Sequence, residues 1–348
     1  VRYKLLGKTG LRVSEICLGT MTFGEEWGWG ASKEESRKIF DAFVNHGGNF
    51  IDTANKYTEG SSEKYVGEFI STERERFVVA TKFTLSMDSD DPNASGNHRK
   101  NMMQSVDASL KRLNTDYIDL YWLHAWDYLT PVDEVMRALD DLVRAGKVLY
   151  IGISDTPAWI VAQANTLADL RGWSRFVGLQ IEYSLIERTP ERELLPMARA
   201  FDMAVTPWAV IGGGVLTGKY TGDPDQDAKA DQKREPSERR LSQRNLKIAA
   251  AVRKVSQETG HPPAQVAINW VRRQPGLFIP IIGARTAAQV KENLGCLDWQ
   301  LSDEHEKQLS AASAIELGFP HDFLTQDHIR NLIYGKTWPL IDNHRAGR

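Results

Sequence analysis

The stretch Phe50-Ile51-Asp52-Thr53-Ala54-Asn55-Lys56-Tyr57 decides the architecture. Apolar residues lead to a carboxylate, and the chain then turns polar, as a short buried strand does where it empties into a loop. Two further runs behave alike: Val78-Val79-Ala80-Thr81-Lys82 and Asp119-Leu120-Tyr121-Trp122-Leu123-His124. Working outward, such runs fall at 16–18, 49–52, 77–81, 118–122, 148–153, 176–180, 204–207 and 278–282, eight in all. Segments with helical spacing lie between them, at 32–45, 61–70, 101–113, 132–145, 158–170, 191–201 and 244–258, with an extra helix at 263–273. In the first, Ile39, Phe40 and Phe43 share a face, and Ser32 with Glu35 forms a capping box. Gly146 and Gly260 suit helix C-terminal caps.

Strands that alternate with helices imply a parallel sheet, and eight such units predict closure into a (β/α)8 TIM barrel. Residues 2–15, with Lys8-Thr9-Gly10 between apolar residues, predict a β-hairpin under the barrel. The whole chain, 1–348, reads as one barrel domain. Residues 221–240 read as a long mobile loop after the seventh strand, and 319–348 as a tail that either folds over the rim or caps the barrel. In such barrels the carboxyl ends of the strands share one face, and that face carries the active site. Asp52, Tyr57, Lys82 and His124 would converge there from different strands, a set suited to moving a proton without a metal.

Composition narrows the field. The chain has 348 residues, 41% hydrophobic, with a net charge of -3. That charge gives no basis for binding nucleic acid or an anionic membrane. Cys17 and Cys296 lie far apart without metal-ligand spacing, which fits a reducing compartment. No apolar stretch is long enough to span a bilayer, and no signal peptide opens the chain. A cytoplasmic protein acting on small molecules, as a monomer or weak homo-oligomer, is the expectation.

These residues reach a family. The chain resembles the aldo-keto reductase superfamily over nearly its whole length, nearest to bacterial members close to the potassium-channel beta subunits. The resemblance rests on Gly10-Leu11-Arg12-Val13-Ser14, Leu18-Gly19-Thr20-Met21, Phe50 to Ala54 with Tyr57, Gly67-Glu68, Lys82, Ser109 to Leu113 and Tyr117 to Leu120. It continues through His124, Gly152-Ile153-Ser154, Gln180 to Ser184 and Leu216 to Tyr220. It implies a (β/α)8 barrel, NADPH as hydride donor and a catalytic tetrad of Asp52, Tyr57, Lys82 and His124. It also implies that Trp208 stacks on the nicotinamide while Ser154, Asp155 and Gln180 hold its carboxamide. Position 155 is commonly Asn in the family; an Asp there keeps an acceptor and loses the amide donor.

Chemistry supports these roles independently. Reducing a carbonyl requires a proton at oxygen, and a tyrosine with a pKa of about 10 is a weak acid at neutrality. A lysine ammonium beside it lowers that pKa, so Lys82 would tune Tyr57 as the general acid. Asp52 would hold Lys82, and His124 would orient the carbonyl. No GxGxxG marks a dinucleotide fold. The phosphate site is expected instead in the loops after the seventh and eighth strands. There backbone N–H groups of the Gly212-Gly213-Gly214 run and Lys219 would clasp the pyrophosphate, and Gly19, Thr20, Met21, Ala209, Val210 and Ile211 are also expected to bind the cofactor. Gly283, Arg285, Gln289 and Asn293 would bind the adenosine end, with Arg285 reading the 2′-phosphate. Trp27 and Trp126 are expected to line the substrate pocket.

The resulting expectation is an NADPH-dependent reductase of aldehydes, and secondarily ketones. Two other readings stay open at this stage. One is a Schiff-base enzyme using Lys82, disfavoured by Asp52 beside it. The other is an NADP(H)-binding regulatory subunit that senses redox state with slow turnover.

Overall fold

The computed structural model of the chain describes residues 1–220 and 238–342. It begins with the hairpin of β1 (Tyr3–Leu5) and β2 (Arg12–Ser14), paired antiparallel. The barrel follows as β3 (Cys17–Gly19), β4 (Phe50–Asp52), β5 (Val78–Phe83), β6 (Ile118–Leu123) and β7 (Val148–Ser154). It is completed by β8 (Phe176–Glu182), β9 (Ala204–Trp208) and β10 (Ile281–Gly283). The strands pair parallel in the order β10-β3-β4-β5-β6-β7-β8-β9. A single parallel bridge, Val205 to Phe278, joins β9 to the chain ahead of β10. The eighth run begins at Phe278, but its ladder starts only at Ile281. Pro280 lies between them and has no N–H to donate; its carbonyl still accepts the Cys17 N–H at 2.9 Å.

Helices alternate with the strands: α1 (Lys33–Asn45), α2 (Ser61–Ile70), α3 (Arg99–Leu113), α4 (Val132–Arg144) and α5 (Ala158–Arg171). Then come α6 (Leu194–Ala200), α7 (Gln243–Thr259), α8 (Pro263–Arg272), α9 (Ala287–Leu294) and α10 (Asp303–Ala312). Ser32 caps α1 by accepting the Glu35 N–H, and Ile39, Phe40 and Phe43 are buried as their spacing requires. The Glu35 carboxylate accepts the Ala287 N–H at 2.7 Å, so it stitches α1 to the start of α9. Helix α6 starts three residues later than its pattern predicts. Glu191 is drawn into bonds with Tyr183 and Arg188, and Pro190 sits in a separate 3-10 turn.

Apolar packing forms two layers. The larger lies between strands and helices. The smaller fills the barrel interior and includes Leu6 and Val13 of the hairpin region with Cys17, Phe50, Leu120 and Trp122. Trp122 is fully buried, and two glycines make room for it. A Cβ on Gly152 would come within 2.2 Å of the indole, and one on Gly178 within 2.8 Å. The hairpin closes the amino-terminal end of the barrel, where Gly7 (φ 55) abuts the Val177 and Asp202 carbonyls.

Of the expected 221–240 loop, 221–237 lies outside the described residues, and Glu238–Leu241 forms a 3-10 turn. The tail forms α11 (His321–Leu324), α12 (Asp327–Tyr334) and a 3-10 turn, Gly335–Leu340; 343–348 lies outside the described residues. His321 anchors the tail to Glu193 at 2.9 Å. Ile329 is buried, whereas Leu332, Ile333 and Leu340 are exposed. No helix among the described residues is long and apolar enough to cross a membrane.

Candidate active site

Three strand ends bring the four proposed proton-moving residues together. Asp52 closes β4, Lys82 lies one residue from the end of β5, and His124 follows β6 directly. Tyr57 opens the 3-10 turn after β4. That turn is strained: Thr58 (φ 45) and Glu59 (φ 54) are left-handed without being glycine. It persists because its neighbours clamp it. The Thr58 hydroxyl donates to the Phe23 carbonyl, and Glu59 accepts from Lys56 at 2.8 Å and from the Trp27 indole at 3.1 Å.

Lys82 is completely buried. Its Nζ donates to Asp52 Oδ2 at 2.5 Å, to the Thr53 carbonyl at 2.8 Å and to Tyr57 Oη at 3.0 Å. An ammonium has three protons, so all three are used. Asp52 also accepts from the Gln180 amide at 3.0 Å, from the opposite side of the barrel. The rings of Tyr57 and His124 meet edge to face, with centroids 5.9 Å apart.

The electrostatics follow from this arrangement. Burial works to lower the Lys82 pKa, but the Asp52 carboxylate and Tyr57 outweigh it and carry it above the ordinary lysine value. Burial raises the Tyr57 pKa above the usual tyrosine value, while the Lys82 ammonium opposes the shift. The expected lowering by Lys82 is present in direction, and desolvation exceeds it. Burial, aided by the Lys82 charge, holds the His124 pKa well below the ordinary histidine value, so its imidazole is neutral.

These groups face a cleft of about 810 Å³. Its wall carries Gly19, Met21, Asp52, Ser154, Asp155, Gln180 and the Trp208 to Ile211 run. Gly214, Lys219, Gly283, Arg285, Gln289 and Asn293 continue it, with Trp27, Tyr57 and His124 at the chemical end. Four expected residues are not on the wall. The Thr20 hydroxyl turns inward to the Asp52 carbonyl and Ser62. Gly212 is wedged against Ile186, and its neighbour Gly213 takes the wall position. Trp126 packs against the layer between barrel and helices. Lys82 lies behind the wall, bonded to Tyr57.

Residues 15–314 match the aldo/keto reductase family. The chain belongs to the aldo-keto reductases. It is similar to a norsolorinic acid reductase of Aspergillus flavus, 36% identical over 98% of this chain and 89% of the relative. A putative aryl-alcohol dehydrogenase of Saccharomyces cerevisiae is 35% identical over 94% of this chain and 90% of its own length. An aryl-alcohol dehydrogenase of Pestalotiopsis microspora is 37% identical over 93% and 85%. The reductase is therefore an oxidoreductase.

Aldo-keto reductases use nicotinamide cofactors, and the cleft of this reductase fits one. Ser154 is almost fully buried on the wall, and its Oγ has no hydrogen-bond partner among the described residues. Gly213 (φ 65) and Gly214 (φ 96) form a left-handed cradle, and a Cβ at 214 would sit 3.1–3.2 Å from the Lys219 side-chain end. Gln289 also has a structural duty the sequence reading missed. Its Oε1 accepts the Arg285 N–H at 2.8 Å, and its N–H bonds the Thr286 hydroxyl, which caps α9. Thr286 followed three residues later by Gln289 is the sequence signal for that cap. Lys56, Leu85 and Arg240 on the wall were also missed. Lys56 stands beside Tyr57 in the sequence, whereas the place of Arg240 depends on its ion pair with Glu182 at 2.6 Å.

Proposed function

We propose that this chain is an NADP(H)-dependent oxidoreductase that interconverts aldehydes and alcohols, with aromatic aldehydes as the preferred class and Tyr57 as the proton donor for reduction. The observation that carries the reading is the saturated Lys82 ammonium bonded to Tyr57. Because Lys82 donates to the phenol oxygen, the phenol's own proton is left to donate elsewhere. A carbonyl oxygen at the chemical end of the cleft would accept it. The neutral His124 ring can hydrogen-bond the same oxygen and hold it in line. Asp52 keeps Lys82 charged and aimed. A reduced nicotinamide, when bound, supplies the hydride. Ser154, Asp155, Gln180 and Trp208 would hold its ring end, Gly214 and Lys219 its phosphates, and Arg285 its 2′-phosphate.

Trp27, Tyr57, Leu85 and Trp208 give the mouth an apolar, largely aromatic lining, which favours flat aromatic substrates. Similarity to proteins named aryl-alcohol dehydrogenases supports the same class. A Schiff-base role for Lys82 is disfavoured, because its buried ammonium has no free electron pair and no spare proton. The test is consumption of NADPH at 340 nm across aromatic and aliphatic aldehydes, ketones and sugars. Turnover with aryl aldehydes that drops on changing Tyr57 to Phe is expected; no NADPH oxidation with any carbonyl would refute the reading.

A further inference from the structure

We propose that Asp155 sets which redox state of the cofactor this chain holds more tightly, its carboxylate favouring the oxidised, positively charged nicotinamide. The inference rests on the nicotinamide site proposed above.

Asp155 is the first residue past β7, and its backbone is left-handed (φ 41), a conformation few non-glycine residues adopt. Hydrogen bonds fix it there: its N–H donates to the Gln180 carbonyl at 3.2 Å and its carbonyl accepts the Trp126 N–H at 3.4 Å. Oδ1 accepts the Trp208 indole N–H at 3.2 Å. Oδ2 has no hydrogen-bond partner among the described residues, and the side chain stands on the cleft wall. Two carboxylates thus belong to the chemical end of the wall. Asp52 is matched by Lys82 at 2.5 Å. Asp155 has no cation within salt-bridge distance among the described residues.

The charged and titratable groups around Asp155 can be named element by element. Lys82 of β5 attracts it, and Glu182 of β8 repels it. Glu182 is itself held by Arg239 at 3.0 Å and Arg240 at 2.6 Å. Tyr57 and His124 face the same end of the cleft and are neutral through the mildly acidic and neutral range. Enclosure by the cleft pushes the Asp155 pKa up to about 6, with the Trp208 bond opposing the shift. The residue therefore ionises across the range in which the chain would work.

A ring that reduces a carbonyl bonded to Tyr57 must lie at this end of the cleft. The reduced ring is neutral and the oxidised ring carries one positive charge, while the rest of the two cofactors is the same. An ionised carboxylate nearby distinguishes them by sign alone. Protonated, Asp155 offers a donor and an acceptor, as an amide does, and the distinction disappears.

The test measures dissociation constants for NADP+ and NADPH by quenching of tryptophan fluorescence between pH 5 and 8, in wild type and Asp155→Asn. The 2′-phosphate titrates in the same range, but both cofactors carry it, so it cancels in the ratio of constants. In wild type, preference for NADP+ over NADPH should rise about tenfold from pH 5 to 8, the order expected for one charge a few ångströms away in a partly wet site. In Asp155→Asn the ratio should stay flat, near the wild-type value at pH 5. A flat ratio in wild type, which needs no variant, overturns the inference, as does an unchanged slope in the variant. Failure of wild type to bind either cofactor would instead overturn the underlying cofactor reading.

Discussion

The Tyr57 hydroxyl accepts a hydrogen bond from Lys82 across 3.0 Å, in a pocket where Lys82 itself has no contact with water. Two opposing influences thus act on one phenol: desolvation, which disfavours phenolate, and a cation, which favours it. Alcohol oxidation needs the phenolate. Lys82→Met removes only the favourable influence, so the Tyr57 pKa should rise further. The rising limb of kcat/KM for oxidation against pH should move to higher pH, with a large loss at neutrality. An unmoved limb, with a solvent isotope effect proving that proton transfer is visible, would show that Lys82 does not tune Tyr57.

Tyr57→Phe removes the proposed proton donor and leaves the ring contacts with Trp27 and His124 in place. Turnover should fall by roughly 10²- to 10⁴-fold, the range for general acid catalysis. Cofactor affinity should change little. The check is steady-state kinetics with one aryl aldehyde beside a fluorescence titration with NADPH; near-normal kcat in the variant would remove Tyr57 from the mechanism.

Arg285 lies on the cleft wall just before α9. If it reads the 2′-phosphate, Arg285→Ala should weaken NADPH by about 1.5–3 kcal/mol, the worth of a charge-assisted contact, and leave NADH nearly unchanged. Paired titrations of the two cofactors decide the matter. Equal weakening of both would assign Arg285 to a group that they share.

Gly152→Ala should destabilise the fold by about 1–3 kcal/mol, the usual cost of overpacking. Its Cβ would press on the Trp122 indole at 2.2 Å, and that indole is fully buried with Gly178 also close against its ring. Gly10→Ala is the control, with nothing within 4 Å of its Cβ. Urea unfolding of the two variants should separate them clearly. Equal midpoints would mean that the indole yields readily.

Strand ends were the legible part of this chain. The switch from apolar to polar at Asp52, Lys82 and His124 marks the rim because a buried strand must surface where its ladder ends. The hairpin was readable for a similar reason, since Lys8-Thr9-Gly10 breaks two short apolar runs. Side-chain direction was less legible. Thr20 and Trp126 each stand next to rim residues in the sequence, yet Thr20 turns to Ser62 and Trp126 to the helix layer. Long-range pairs were not legible at all. The bond from Gln180 to Asp52 spans 128 positions, and Arg240 reaches the cleft through Glu182, 58 positions away. Neither leaves a local pattern in composition or periodicity.

Trp122, seated between Gly152 and Gly178, makes the barrel a closed vessel with a fixed floor. Apolar packing runs from that indole down to Leu6 and Val13 at the hairpin end, all of them buried. Changes in the loops above can widen, narrow or recharge the mouth while the material beneath keeps its shape. Anyone seeking to redirect such a protein to a new carbonyl compound would do best to work on Trp27, Lys56 and Leu85, and to leave the two glycines and the tryptophan alone.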